Sequence, residues 1–179
     1  MLFRSQTSTQ EALRVLAPDV TLAFAPYGSS LDRWTQRART DGHELLLQIP
    51  MEPFDYPDND PGPQTLLTSA TSDVNVERLS SFLGRLTNYV GVVNYMGAKF
   101  TADDRALSPV VGELATRGLM YLDDGSSSRS TTFSMPEIAM CTRGSAAVSR
   151  ALPSFSVIEI WPVSATRKFA PVIPTSAST

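Results

Sequence analysis

The sequence predicts an α/β fold built on a parallel sheet, and three observations carry that prediction. Apolar runs of strand length alternate with stretches of helix length, the order that βαβ units require. The run at residues 20–25 (VTLAFA) is nearly continuous, as a strand covered on both faces should be. Polar clusters follow the predicted strands: Pro26-Tyr27, residues 48–60, Asn94-Tyr95 and Asp123-Asp124. In a parallel sheet or barrel the strand C-termini lie on one side, so these clusters converge where sites form.

Taken in order, residues 11–16 (EALRVL) read as a short helix, with Ser8 or Thr9 able to cap it. The strand at 20–25 follows, and Tyr27 to Ser29 turn the chain. Ser30 can cap a helix through Arg39, with Leu31, Trp34 and Ala38 on one face and Asp41-Gly42 closing it. A second strand covers residues 44–49. Ser72 or Asp73 caps a helix over 74–87, whose Val76, Leu79, Phe82, Leu83 and Leu86 form an apolar stripe. Residues 89–93 (YVGVV) form a third strand. Thr101 and Asp104 resemble a capping box for a helix reaching Arg117, which Pro109 should kink or split. Residues 119–122 form a fourth strand. From Ser126 on the chain is rich in Ser, Thr, Arg and Pro, and only 155–161 (FSVIEIW) alternates as a strand would. The expected division is a β/α domain over 1–127 and an irregular, poorly packed segment over 128–179.

The 179 residues suit one domain, and 42% hydrophobic with 18% charged residues marks a globular chain. A net charge of −3 argues against a nucleic-acid partner. One cysteine, Cys141, excludes a disulfide framework or a thiolate metal cluster. No apolar run approaches the roughly 20 residues of a membrane span. The start lacks the apolar core of a signal peptide, so the chain as written is expected in the cytoplasm.

The segment 43–63 (HELLLQIPMEPFDYPDNDPGP) holds the chain's one histidine, His43, then a strand interrupted by Gln48, then a loop with Glu52, Asp55, Asp58 and Asp60 among prolines. Long loops without regular structure are uncommon in compact domains unless functional or disordered. The alternative is a solvated surface loop stiffened by its prolines.

These residues bear a resemblance. HELLLQIPMEPFDYPDNDPGPQTLL, YVGVVNYMGAKFT and GLMYLDDGSS resemble the divergent polysaccharide deacetylase family over about residues 20–127. The resemblance implies an incomplete parallel (β/α) barrel, here truncated at both ends. It implies hydrolysis of N- or O-acetyl groups of a glycan, with a divalent metal such as Zn activating water. His43 matches the first histidine of the family's strand motif and is the metal candidate. Gln48 stands where many members have a second histidine, and Tyr95 where many have the His of Asn-His-Met-Gly. Asp123 and Asp124 occupy the Asp-bearing strand end. The strand carrying a further Asp motif is not matched.

On that basis Asp123, Asp124 and Glu52 are the candidate catalytic carboxylates. Tyr27, Gln48, Asp55, Asn94 and Tyr95 are the candidate substrate-binding residues, the tyrosines by stacking on sugar. Bland alternatives stand beside them. His43 suits a hydrogen-bonded helix-to-strand junction, Asp123 or Asp124 suits a turn with Gly125, and Lys99 could bind a carboxylate or be solvated. The expected partner is a glycan, and full-length relatives are expected in the periplasm or envelope. Two rival readings are a glycan- or envelope-binding module without catalysis, and an inactive gene fragment with a shifted frame after Ser127.

Overall fold

The computed structural model describes residues 6–125, 127–131, 140–142 and 158–160. The element order is α1 (Gln6–Val15), β1 (Leu22–Phe24), α2 (Leu31–Thr40), β2 (Leu45–Met51), α3 (Ser72–Leu83), β3 (Gly91–Met96), α4 (Asp104–Thr116), β4 (Met120–Asp123), β5 (Met140–Thr142) and β6 (Ile158–Ile160). The six strands form one sheet in the order β5-β4-β3-β2-β1-β6. Every pairing is parallel. Strands β1 to β5 are neighbours in chain order and β6 returns to the free side of β1. That is the sequence of a (β/α) barrel left open between β5 and β6, an incomplete parallel barrel.

Alternation sorts the side chains into two cores. Leu22, Phe24, Leu45, Leu47, Ile49, Val92 and Tyr121 pack with helix residues such as Leu79, Phe82, Leu107 and Leu114. Ala23, Leu46, Val93 and Leu122 form a smaller cluster without helix residues, on the opposite face. Gln48 shares the parity of Leu46 and is registered with Val93. It therefore belongs to that inner face. Gly91 lies in the same row, and a Cβ there would collide with the Met120 carbonyl. Only glycine lets β3 and β4 approach at that point.

Several boundaries differ from the expectation for local reasons. Helix α1 begins at Gln6, ahead of Ser8 and Thr9. Thr71, not Ser72 or Asp73, caps α3 by accepting from the Val74 amide. Asp103 caps α4 by accepting from the Arg105 and Ala106 amides at 3.0 and 3.2 Å. Thr101 instead donates to the Gly97 carbonyl, so no capping box forms. Helix α4 runs from Asp104 to Thr116 through Pro109. The proline is the sixth of the helix's 13 residues and removes one backbone bond, while buried Leu107, Val110, Val111 and Leu114 hold the helix in place.

Strand β2 likewise continues through Pro50 to Met51. The Pro50 carbonyl accepts from Leu66 on the side that β1 has vacated, so the missing N–H falls where no strand needs it. Strands β5 and β6 extend the same sheet beyond Ser127, and β6 lies within the run expected at 155–161. Most of the segment expected to be irregular lies outside the described residues.

Candidate functional site

The C-terminal strand ends gather four polar groups. Asn94, fully buried near the end of β3, is the centre. Its Nδ2 donates to the Met96 carbonyl at 2.7 Å and to Asp124 Oδ1 at 2.8 Å. Its Oδ1 accepts from the Asp124 amide at 3.0 Å. One side chain thus fastens β3 to the residue after β4. It also steadies Met96, a non-glycine residue at φ 58°, the kind of backbone outlier that gathers at functional sites. Tyr95 and Asp124 are half-buried. By register, Tyr95 pairs with Pro50, one pleat beyond Gln48 on the inner face.

Asp123 is almost fully buried. Its Oδ1 accepts from the Gly125 amide at 2.8 Å and its Oδ2 from the Ser130 hydroxyl. Both oxygens hold the chain after β4, so Asp123 shapes the rim rather than offering an open carboxylate.

Glu52 is 4% exposed, at the end of β2. Oε1 accepts from Lys99 Nζ at 2.6 Å, and Oε2 from the Thr68 amide and hydroxyl at 2.6 and 2.8 Å. Its backbone oxygen accepts from the Lys99 and Phe100 amides. Burial alone would raise its pKa, but the bonds from Lys99 and Thr68 outweigh burial and hold it below the usual glutamate value. A carboxylate stabilised in its charged form is a poor proton carrier at neutral pH. Glu52 ties the loop after β2 to the loop after β3.

Of the remaining predicted residues, Tyr27, in the loop after β1, lies near enough to Tyr95 to interact with it electrostatically, whereas Asp55 and His43 lie apart. Tyr27 donates to the Pro63 carbonyl at 2.7 Å and meets Phe82 edge-on, with centroids 6.2 Å apart. Burial, then the charge of Asp60, pushes its phenol well above the ordinary value. It clamps the proline-rich loop. Asp55 is exposed and accepts from Asn59 at 2.6 Å.

His43 precedes β2 and lies at the N-terminal end of the sheet, where its Nδ1 donates to the Val20 carbonyl at 2.9 Å. The whole length of β2 separates it from the Asp123-Asp124 end. His43 and those carboxylates therefore do not converge on one metal. Among the described residues no group of three His, Cys, Asp or Glu side chains could hold a metal ion. The implied zinc shell does not fit what these residues supply. Gln48, in the position of a second histidine, is wholly buried, and neither amide atom has a hydrogen-bond partner among the described residues.

The sequence pattern of the divergent polysaccharide deacetylase family matches residues 3–147. The chain belongs to this family. The match runs further in both directions than the 20–127 expected from the motifs. An uncharacterized protein ATU2773 from Agrobacterium tumefaciens C58, solved by crystallography, is 40% identical with a TM-score of 0.77, covering 91% of this chain and 74% of that one. The uncharacterized protein YibQ of Escherichia coli K12 is 27% identical over 105 residues, 58% of this chain and 32% of that protein. An uncharacterized protein of Haemophilus influenzae is 25% identical over 112 residues, 63% of this chain and 39% of that protein. The chain thus spans about a third to two fifths of the length of the curated relatives it matches. Among the described residues, no helix of this deacetylase-family chain is long and apolar enough to cross a membrane.

Sequence reasoning weighed Lys99 as a carboxylate binder without naming Glu52 as its partner. It passed over Thr68 and Ser130, for which no spacing signal exists, since each bond closes a loop.

Proposed function

We propose that this chain is a carbohydrate-directed member of the deacetylase family that receives an acetylated glycan across the C-terminal ends of β2, β3 and β4. The reaction that suits this reading is hydrolysis of an N- or O-acetyl group. The observation that carries it is the Asn94–Asp124 pair. A buried amide on β3 holds a half-buried carboxylate in place at the strand ends, and Tyr95, the next residue along β3, carries a ring that can pack against a sugar face. Asp124 is the group to accept a proton from the water that attacks the acetyl carbonyl. Asn94 fixes its position, and Glu52 and Asp123 keep the two rim loops in register.

A second reading, a glycan-binding module without turnover, is favoured by a specific observation. Glu52 and Asp123 are committed to structural bonds, and His43 lies at the other end of the sheet. One experiment separates the two. Acetylated chito-oligosaccharides are incubated with the chain and with Asp124→Asn, and both acetate release and binding are measured. Acetate release that Asp124→Asn abolishes supports hydrolysis. Binding without acetate supports the module, and the absence of both binding and acetate release would rule out the C-terminal face as a glycan site.

A further inference from the structure

Away from the strand ends, helices α1 and α2 flank an open surface cleft of about 410 Å³ lined by Gln10, Arg14, Arg33, Trp34 and Arg37. The lining holds three guanidinium groups, one indole and no carboxylate, in a chain whose net charge is −3. Arg33 and Arg37 are one turn apart on α2 and face the same way. Arg14 reaches them from the last turn of α1.

The arrangement is partly preset. Arg37 is held by Asp41, Nε to Oδ2 at 2.7 Å, which orients the guanidinium and uses one of its five donors. The Arg33 guanidinium carbon lies 5.4 Å from the Trp34 ring centroid. Trp34 in turn is packed against the main core. Among the described residues Arg14 and Arg33 form no ion pair.

Guanidinium forks match carboxylate and phosphate groups bidentately. The volume falls within the range of small-molecule sites. Gln10 offers a donor and an acceptor together, which suits a ring hydroxyl. We propose that this cleft binds an acidic saccharide, its ring against Trp34 and its carboxylate or phosphate groups between Arg14, Arg33 and Arg37. The proposal stands independently of the C-terminal face, since no residue is shared between the two.

The test is calorimetric titration of the intact chain with four probes: trigalacturonate, glucose 6-phosphate, neutral chitotriose and a nucleoside diphosphate. The acidic saccharides should bind and chitotriose should not. Affinity should fall about tenfold or more on raising salt from about 50 to about 300 mM, because exposed charges are screened. The tighter of the two acidic probes identifies the acid group. Arg14→Gln with Arg33→Gln, both at exposed positions, should weaken binding by about tenfold while leaving the thermal midpoint in place. Should the double variant unfold, Arg33→Lys keeps the charge, loses the fork and should still weaken binding severalfold. Equal binding of chitotriose, tighter binding of the nucleoside diphosphate, indifference to the arginine substitutions, or no binding by any probe would each overturn the proposal.

Discussion

The two ends of the parallel sheet use buried polar groups in opposite ways. At the N-terminal end His43 makes one ring bond, to the Val20 carbonyl, and its Nε2 has no partner among the described residues. At the C-terminal end Glu52, Asn94 and Asp123 each make two or more side-chain bonds: Glu52 and Asn94 tie separate loops or strands together, and Asp123 holds the chain leaving β4. The contrast follows from βαβ topology. Loops at the C-terminal ends lie side by side and must be held in register, and burying their carboxylates is tolerable only when every oxygen is satisfied. The N-terminal end has only to seal a helix-to-strand junction. A polar cluster at the C-terminal end therefore reports scaffolding as well as chemistry, and substitution can separate the two.

The largest effect should come from Glu52→Ala. It removes three bonds from a nearly buried carboxylate and leaves the Lys99 ammonium and the Thr68 amide without their acceptor. The loss should be about 2–3 kcal/mol, less than for a fully buried pair because the Lys99 side chain is 43% exposed. The pH dependence has a definite sign. The folded pKa of Glu52 lies below its unfolded value, so its contribution is complete above about pH 4.5 and fades as pH falls through the folded value. Urea unfolding of wild type and Glu52→Gln at pH 7 and pH 3.5 checks this. The gap between them should be wide at pH 7 and narrower at pH 3.5, and a constant gap would refute the ion pair as its source.

Next in size is Asn94→Ala. Three hydrogen bonds vanish, those of Asn94 with the Met96 carbonyl and with the carboxylate and amide of Asp124, near a strained residue. A cost of about 2 kcal/mol is expected, with glycan binding falling further than stability alone explains. Asp124→Asn keeps most of the packing and should cost less stability while abolishing any acetate release. If both variants bind acetylated chito-oligosaccharide as wild type does, the C-terminal face is scaffold alone.

The alternation of strands and helices was legible because apolar runs and stripes record burial directly. Residues 20–25, 44–49 and 89–93 all contain observed strand residues, although β3 begins at Gly91 and runs on to Met96. The convergence of polar clusters at the strand ends was legible for the same reason, since topology alone imposes it. What each polar residue does there was not. Glu52 reads as a loop acid in sequence, and only the fold brings Lys99, 47 positions away, to its carboxylate. The arginine cleft was missed although Arg33 and Arg37 show helical spacing. Arg14, which completes it, depends on how α1 packs against α2. Short-range pattern reveals burial and caps, whereas a site is a set of long-range coincidences.

Gln48 supplies a subtler test, with the opposite sign. Its amide is buried beside Leu46 and Val93 with no partner among the described residues, and desolvating an unpaired amide costs about 1–3 kcal/mol. Gln48→Met, close in volume, should therefore raise stability by about 1 kcal/mol, read as a higher thermal midpoint. A lower midpoint would mean that the amide finds a partner on the inner face, and would move Gln48 back toward the substrate.

The smallest effect belongs to His43. His43→Gln can keep a hydrogen bond to the Val20 carbonyl while removing the imidazole, and should cost about 1 kcal/mol or less. Its value lies in what it should leave alone. Placed at the opposite end of the sheet from Asp124, His43 should contribute nothing to glycan binding, to acetate release or to the metal content of the purified chain. Elemental analysis and the acetate assay on the His43→Gln chain check this together. A variant that folds but loses bound metal or activity would show that the two ends of the sheet communicate, and would undo the contrast drawn between them.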